Sequence, residues 1–417
     1  MKFFHLADLH LGKCIHGYSM IEMGDQPFLM EQLLKKAEEF KTDAVLISGD
    51  VYDRAVPSKD AVNLFDEFLT RLSELQIPVL LIAGNHDSGS RLAFADRLLC
   101  RQGIYIAGEV KKDILKIPLC DAYGEVNFWL VPYLFPAAVQ VILGRDDLKD
   151  YDSSMKALLE EQNIDFSQRN VILSHQFVVA GSEKPAMGGS ETTVGGIGQI
   201  DAAIFEKFDY VALGHIHNAQ KMGKEQVRYA GSPLCYHFSE AGQKKGLTIV
   251  EIKEKGDLKV WVEELPVLHQ MCEISGTMDE ILQTEVEKNC YVRVVIKQEF
   301  LPPQAVEILR TYFSAKDCVL LEVVRDFSAG VKKQGDFKMK DVQTLSLEEL
   351  FDQFYGCLHE GNMPEESDEK LIRFVAEQSR NNCGDETEAE KLEAAKQLVK
   401  YAVDCENEEE FYETVKA

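Results

Sequence analysis

The sequence predicts an α/β fold in which short buried strands alternate with amphipathic helices. The main observation is a pattern that occurs five times, an apolar segment followed directly by a loop with polar side chains. The apolar segments are 3–6, 43–47, 77–82, 170–173 and 210–213. Helical patterns lie between them, and this alternation is typical of layered α/β domains, whose sites gather at the carboxyl ends of the strands.

One intervening stretch illustrates the helical pattern. Ser58 is a residue type that commonly caps a helix at its N-terminus. The apolar residues that follow it at helical spacing are Val62, Phe65, Leu69, Leu72 and Leu75. This spacing predicts one apolar face, which we expect to pack in the core or in a dimer interface.

The length of 417 residues predicts two or three structural units. A strand, helix and strand pattern over 291–296, 302–313 and 319–324 indicates a small second α/β module, and Ser346 with Glu349 matches a helix capping box. The predicted units are a large α/β domain at 1–268, a small α/β domain at 269–327, a linker at 328–344, a helical pair at 345–380 and an acidic helical tail at 381–417.

Composition places the chain among cytoplasmic proteins. The N-terminus lacks the basic and apolar layout of a signal peptide, and no run of about 18 apolar residues could span a membrane. The ten cysteines include no C-x-x-C pair, which argues against a zinc ribbon and a secreted disulfide framework. Free, mostly buried thiols are therefore predicted.

The net charge of −25 counts mildly against a nucleic-acid substrate, because phosphate contacts normally need basic residues. The charge is unevenly distributed. Residues 341–417 carry −14, and the first 340 residues carry −11. A metal site can also supply positive charge for a phosphodiester, so DNA is not excluded.

The loops after the five strands carry a set of metal-ligating residue types. In chain order these residues are Asp8 and His10, Asp50, Asn85 with His86 and Asp87, His175, and His215 with His217. Carboxylate, amide and imidazole groups suit manganese, iron or zinc, and a bridging carboxylate can hold two such ions about 3.5–4 Å apart. One Asp-x-His is weak evidence, but five clusters in this order predict a two-metal site.

These motifs resemble the calcineurin-like metallophosphoesterase superfamily over roughly the first 240 residues. The resemblance implies a four-layer β-sandwich flanked by helices. It also implies that Asp8, His10, Asp50 and His217 hold one metal, and that Asp50, Asn85, His175 and His215 hold the other. His86 would stabilise the charge of the scissile phosphate and help to protonate the leaving oxygen.

Further blocks are similar to the SbcD family of bacterial nuclease subunits. They are His5 to Gly12, Ser48 to Asp53 with Pro57 and Ser58 soon after, and Ala230 to Pro233 with Phe238 and Glu240. The order of domains also fits that family. Asp53 is a departure, because archaeal and eukaryotic relatives carry a histidine there to which a catalytic role has been assigned. Asp53 and Asp87 are therefore candidates for positioning or purely structural roles.

The SbcD resemblance implies a manganese-dependent nuclease with two activities, 3′-to-5′ exonuclease on duplex DNA and endonuclease on single strands or hairpins. It would act as a homodimer in a heterotetramer with the coiled-coil ATPase SbcC, at the nucleoid and away from membranes. The small α/β domain would be the cap, and the helical pair would bind the SbcC coiled coil. The implied anchors are Leu347, Leu350, Phe351, Phe354, Leu371, Phe374 and Val375.

Two other functions remain open from the sequence. A stand-alone phosphodiesterase or phosphatase acting on nucleotides or phosphoproteins would use the same metals, and the acidic composition favours it slightly. A small-substrate hydrolase, however, needs neither the second α/β domain nor the helical pair. A catalytically silent binding protein is disfavoured by the complete set of ligands.

Overall fold

The computed structural model describes residues 1–187, 198–298, 301–302 and 304–326. Its strands are β1 (Lys2–Leu6), β2 (Cys14–Ile15), β3 (Tyr18–Ser19), β4 (Ala44–Ser48), β5 (Val79–Ile82), β6 (Ile104–Ala107), β7 (Leu115–Asp121), β8 (Gly124–Val131), β9 (Arg169–His175), β10 (Phe177–Val179), β11 (Gln199–Asp201), β12 (Tyr210–Gly214), β13 (Gln220–Met222), β14 (Lys224–Tyr229), β15 (Gly246–Ile252), β16 (Leu258–Glu264), β17 (Gln270–Gly276), β18 (Cys290–Ile296) and β19 (Val319–Arg325). Its α-helices are α1 (Asp25–Phe40), α2 (Lys59–Glu74), α3 (Gly89–Leu92), α4 (Asp96–Leu99), α5 (Pro136–Leu143), α6 (Tyr151–Glu160), α7 (Met278–Ile281) and α8 (Ala305–Ser314).

Two six-stranded sheets form the centre of the fold. The first has the order β16-β15-β1-β4-β5-β6, and the second has the order β13-β14-β12-β9-β8-β7. Strands β1, β4 and β5 run parallel to one another, as do β9 and β12, so their carboxyl ends meet at one edge of each sheet. This arrangement of mixed sheets and helices confirms the predicted α/β fold class.

The sheets pack face to face, and helices cover their outer faces. Phe3 of β1 lies at the centre of the inter-sheet core, in edge-to-face contact with Phe128 of β8 and Tyr210 of β12. Helices α1 and α2 pack on the first sheet and α5 and α6 on the second. Strands buried on both faces need nearly continuous apolar sequence, which explains the short apolar runs.

The inter-sheet core should be sensitive to truncation at Phe3. This side chain is fully buried, so Phe3→Ala removes aromatic contacts and leaves a cavity. We expect a loss of about 3–5 kcal/mol in the free energy of unfolding, measured by urea denaturation. Tyr123→Ala, at a side chain that is 51% exposed, is the control and should change stability by less than about 0.5 kcal/mol. A loss below about 1 kcal/mol for Phe3→Ala would contradict this assignment.

A third, three-stranded parallel sheet of β17, β18 and β19 follows, with α7 and α8 packed on it. Strands β18 and β19 and helix α8 lie close to the expected strand, helix and strand. Asp25 at the start of α1 contacts His269 at 3.0 Å and the hydroxyl of Tyr291 at 2.5 Å, which joins this sheet to the first helix. The predicted linker, helical pair, acidic tail and seven apolar anchors lie outside the described residues.

Two predictions about burial differ from the structure. Ser58 caps α2 by accepting a hydrogen bond from the Ala61 amide, as expected. The helix buries Phe65 and Leu72 of the predicted face, together with Phe68, whereas Val62 and Leu75 are 42% and 38% exposed in the single chain. The spacing over-estimated the width of the buried face.

The described cysteines are free thiols, but Cys14, Cys100 and Cys120 are exposed rather than buried. Within the described residues, no helix is long and apolar enough to span a membrane.

Candidate metal centre

The predicted ligands come together at adjacent ends of the two central sheets. Asp8 and His10 follow β1, Asp50 follows β4, and Asn85 and His86 follow β5; His175 ends β9, and His215 and His217 follow β12. A hydrogen bond of 2.9 Å from the Ser48 hydroxyl to the Ala212 carbonyl joins the sheets just before the site. The parallel strands therefore deliver side chains that are distant in sequence to one place.

The loops reach this arrangement through unusual backbone geometry. The φ values are 54° at Asp8, 43° at His10, 50° at Asp50 and 96° at His215. Residues other than glycine rarely adopt such positive φ values. Such strain costs about 1–3 kcal/mol per residue and is concentrated at functional sites. Four of the eleven described non-glycine residues with positive φ are predicted ligands, so this backbone geometry is concentrated in, but not confined to, the ligand loops.

The glycines of the motifs are required by close packing. A Cβ atom at Gly49 would lie 2.3 Å from the His175 Nδ1 atom, and one at Gly84 would lie 2.1 Å from an Asp50 oxygen. A Cβ atom at Gly214 would lie 2.0 Å from the Ser48 carbonyl oxygen. The glycine in each Gly-Asp, Gly-Asn-His and Gly-His-x-His element thus permits the ligand loops to pack against one another.

One group of potential ligands contains Asp8, His10 and His217, all buried, with one ligand atom from each within 4.8 Å of the others. The Nε2 atoms of His10 and His217 lie 3.2 Å apart. Nδ1 of His217 contacts Glu240 at 3.1 Å, which makes Nδ1 the donor and leaves a lone pair on Nε2. The Asp8 carboxylate accepts a hydrogen bond from the backbone amide of His215.

A second group contains Asp8, Asp50 and His175, and it extends to Asn85 and His215. Nε2 of His175 lies 3.2 Å from Asp50 Oδ2 and 3.0 Å from Asn85 Oδ1. Nδ1 of His215 lies 3.0 Å from the same Asn85 oxygen. Asp50 also lies 3.8 Å from Nε2 of His10, so its carboxylate is between the two groups.

Burial strongly affects the titration of these side chains. Burial raises the pKa of Asp8 to about 6, and burial together with His175 lowers the pKa of His215 to about 3. Burial also lowers the pKa of His10. At His175 burial acts in the same direction, but the charge and hydrogen bond of Asp50, together with the Asp8 charge and the Ser48 carbonyl, outweigh it and raise the pKa to about 9. Neutral imidazole is the form that binds metals, so His10 and His215 are held in a ligating state.

The donor set fits divalent cations. Buried carboxylates face an amide oxygen and imidazole nitrogens. The Nε2 atoms of His10 and His217 approach each other closely, and at most one of them can donate a proton to the other, so at least one lone pair is available to a cation. Uncompensated buried charges are costly unless they are paired or coordinate a metal. Oxygen and imidazole ligands suit first-row ions such as manganese, iron and zinc.

His86 is exposed, as is Asn85, whereas the other predicted ligands are buried or half-buried. Its backbone amide donates to Asp50 Oδ1 at 2.8 Å, and its Nδ1 lies 3.0 Å from the Asp53 carbonyl oxygen. The carbonyl can only accept, so Nδ1 carries the proton and Nε2 has the lone pair in the neutral ring. His86 also forms a group of potential ligands with His10 and Asp50, so geometry alone does not separate a ligand from a catalytic role.

The two candidate positioning residues make different contacts. Asp87 accepts hydrogen bonds from the backbone amides of Val51, Tyr52 and Gly84, and thereby ties together the loops after β4 and β5. The Asp53 carboxylate accepts a hydrogen bond of 2.8 Å from Nζ of Lys13, and its Oδ1 atom lies 3.7 Å from Nδ1 of His10. Asp87 therefore supports the loop backbone, whereas Asp53 lies beside a predicted ligand.

Glu240 is a site residue to which the sequence assigned no role. It is fully buried, and it contacts His217 at 3.1 Å and the ammonium group of Lys245 at 2.8 Å. Lys245 in turn donates to the His217 carbonyl oxygen. The sequence signal was its place in the SbcD-like block that begins with the Gly-Ser-Pro turn at 231–233, and this signal does not indicate its partner.

Two protein families match the chain. The calcineurin-like phosphoesterase family matches residues 1–219, and the type 5 capsule protein repressor C-terminal domain matches residues 267–356. The chain is similar to the SbcD component of the nuclease SbcCD from Staphylococcus epidermidis, with 31% identity over 301 residues that cover 70% of this chain and 77% of that protein. The crystal structure of TT1561 of Thermus thermophilus covers 63% of this chain and 98% of its own at 14% identity, with a TM-score of 0.35, a similarity too weak to support a conclusion.

Proposed function

Because this chain belongs to the calcineurin-like phosphoesterases and, within them, to the SbcD-type nuclease subunits, we propose that it is a metal-dependent DNA nuclease acting with an SbcC-type coiled-coil ATPase. The proposed activities are 3′-to-5′ exonuclease on duplex DNA and endonuclease on single strands or hairpins. The observation that carries the proposal is the position of the Asp50 carboxylate, whose Oδ2 atom lies 3.2 Å from Nε2 of His175 in one ligand group and 3.8 Å from Nε2 of His10 in the other. A shared carboxylate is what a two-metal phosphodiesterase needs.

The proposed cofactors are two divalent ions, with manganese as the preferred metal. Asp8, His10, Asp50 and His217 would hold one ion, and Asp50, Asn85, His175 and His215 the other. The bound ions would supply Lewis-acid polarisation of the phosphoryl group and neutralise its developing charge. Asp50 would contribute to both sites. Each site would then combine carboxylate or amide oxygens with imidazole nitrogens, a donor set that suits divalent first-row ions.

The proposed catalytic residue is His86. Its exposed ring lies in edge-to-face contact with the ring of His10, at 4.8 Å between centroids. The Asp53 carbonyl holds the Nδ1 proton, so Nε2 is the atom that exchanges a proton with substrate. In the cationic form, Nε2–H would stabilise the phosphate charge and then protonate the leaving oxygen.

Glu240 is proposed to orient His217 for metal binding. Glu240→Gln keeps a similar shape but removes the carboxylate that accepts from His217 and pairs with Lys245. We expect about a 10- to 100-fold loss of manganese affinity, measured by calorimetric titration. Glu225→Gln, at an exposed glutamate that pairs with Arg228, is the matched control and should bind manganese as the unaltered chain does. Equal affinity in the two variants would rule out this role for Glu240.

The proposed partners follow from the family. The match over 267–356 supports an SbcC-binding role for the C-terminal part of the chain. It includes four of the seven predicted anchors, and the other three, Leu371, Phe374 and Val375, lie beyond it. We also propose a homodimer within a heterotetramer, located in the cytoplasm at the nucleoid. Roles in DNA end processing, repair and recombination would follow from this assembly.

A stand-alone phosphodiesterase or phosphatase is the second candidate, and the net charge of −25 favours it. The two functions predict different substrates. With manganese, the purified chain should cleave linear duplex DNA, and cleavage should increase strongly when the ATPase and ATP are added. Hydrolysis of small phosphodiesters without DNA cleavage under any of these conditions would reject the nuclease and favour the second candidate.

A further inference from the structure

An aromatic group lies beside the proposed metal centre and has no part in the mechanism described above. The ring of Tyr133 is 6.2 Å from the ring of His175 and 6.4 Å from that of His215. Phe135 contacts Tyr133 edge to face, with 4.9 Å between ring centroids. The aromatic rings therefore extend outward from the Asn85, His175 and His215 side of the centre.

The fold fixes the position of this group. The Tyr133 amide donates to the carbonyl of Ala83, which directly precedes the Gly84 and Asn85 loop, at 2.9 Å. The Tyr133 hydroxyl lies 3.4 Å from that of Tyr151 on α6. Phe135 directly precedes Pro136, the first residue of α5. The two residues thus lie in the short connection 132–135 between β8 and α5 rather than in a long loop, which limits the entropy lost when they bind a ligand.

The Phe135 side chain is 56% exposed. It is not needed to cap α5, because its side chain makes no capping hydrogen bond. Isolated apolar residues are common on protein surfaces and need no special explanation. Phe135 differs from such residues because it adjoins a half-buried tyrosine that contacts two of the proposed ligands.

We propose that Tyr133 and Phe135 form a stacking subsite for the nucleobase adjacent to the scissile phosphate. This inference rests on the proposed function, since it assumes a DNA substrate. The ligand set would bind the phosphate, and the exposed Phe135 ring, which Tyr133 supports edge to face, would stack on the apolar face of the neighbouring base. Base stacking on aromatic side chains tolerates any sequence, as a nuclease acting on general DNA requires. It also supplies affinity without basic residues, which suits a chain with a net charge of −25.

The test is a cycle that combines a protein change with a substrate change. The full chain with manganese, with and without the ATPase, is given a single-stranded oligonucleotide that has one phosphodiester and phosphorothioates at all other linkages. Two further substrates carry an abasic residue on the 5′ or the 3′ side of that phosphodiester. The readout is kcat/KM at the single cleavable bond.

With the unaltered chain, removing the base on the stacked side should lower kcat/KM by about 5- to 150-fold, as expected for one stacked base. Phe135→Ala should cause a similar loss with the intact oligonucleotide and little further loss with that abasic substrate. Phe135→Leu, which keeps bulk but not a flat ring, should resemble Phe135→Ala. Phe135→Trp keeps a flat ring, so removing the base on the stacked side should still lower kcat/KM. Tyr123→Ala, an exposed aromatic residue in the turn between β7 and β8, is the control and should behave as the unaltered chain.

The outcomes separate this inference from the proposed function. If the unaltered chain cleaves no oligonucleotide under either condition, the nuclease function itself fails. If the chain cleaves but Phe135→Ala and Phe135→Leu leave kcat/KM unchanged, the stacking subsite is rejected. The subsite is also rejected if Phe135→Ala lowers kcat/KM equally for the intact and both abasic substrates, because the effect would then not involve a base.

Discussion

The His86→Ala variant is expected to bind two metal ions and to lose about 10²- to 10⁴-fold in the rate of DNA cleavage. The rate falls because the exposed imidazole is the group proposed to protonate the leaving oxygen. The metal ions remain because the contact from residue 86 to Asp50 is made by the backbone amide, which alanine retains. Metal content is measured by elemental analysis of the manganese-loaded chain, and cleavage by single-turnover kinetics.

His16→Ala is a suitable control, because His16 is a partly exposed histidine that contacts Phe238 and Glu322 outside the ligand groups. It should leave both metal content and cleavage within about twofold of the unaltered chain, as surface substitutions usually do. A fall to one metal ion in His86→Ala would contradict the catalytic assignment. His86 would then act as a ligand with His10 and Asp50, with which it forms a third possible group.

The Asp50→Asn variant is expected to lose metal binding and at least about 10³-fold in cleavage, because metal ions contribute several kcal/mol to phosphoryl transfer. Asp50 is positioned to serve both ions, and asparagine lacks the negative charge and the second anionic oxygen. Calorimetric titration with manganese measures the number of ions bound, and circular dichroism checks that the variant folds.

Asp43→Asn is the matched control, because Asp43 directly precedes β4 while Asp50 lies at the other end of the same strand. Asp43 is exposed and accepts a hydrogen bond from the Lys2 amide, remote from the ligand groups. It should bind two ions and cleave normally. If Asp50→Asn still binds two ions with unchanged affinity, Asp50 is not the bridging ligand.

Much of the candidate site could be predicted because its information is local in sequence. Asp50 follows a run of residues buried on both faces of β4, and the strand direction then determines the edge at which its loop lies. The glycine before it is equally local, since Gly49 must have no Cβ atom where His175 approaches. An apolar run, a glycine and a ligand therefore predict both the strand and its polar end.

Contacts between distant segments could not be predicted in this way. Nothing in the sequence pairs Glu240 with His217 or Asp53 with Lys13, because these contacts depend on how the loops after different strands fold together. The contacts of Tyr133 with His175 and His215 are similar, since they appear only when β8 and β9 lie in one sheet. The width of the buried face of α2 was predicted wrongly for a different reason. The spacing of apolar residues gives the direction of a helix's buried face but not its width.

The most direct test of the two-metal account is anomalous diffraction at the manganese absorption edge from crystals of the full chain grown with manganese. Two manganese ions bound at this site would give two anomalous peaks about 3.5–4 Å apart, with the Asp50 carboxylate between them. His10 and His217 should contact one ion, and His175 and His215 the other. A single peak, or two peaks of which only one contacts Asp50, would contradict the account.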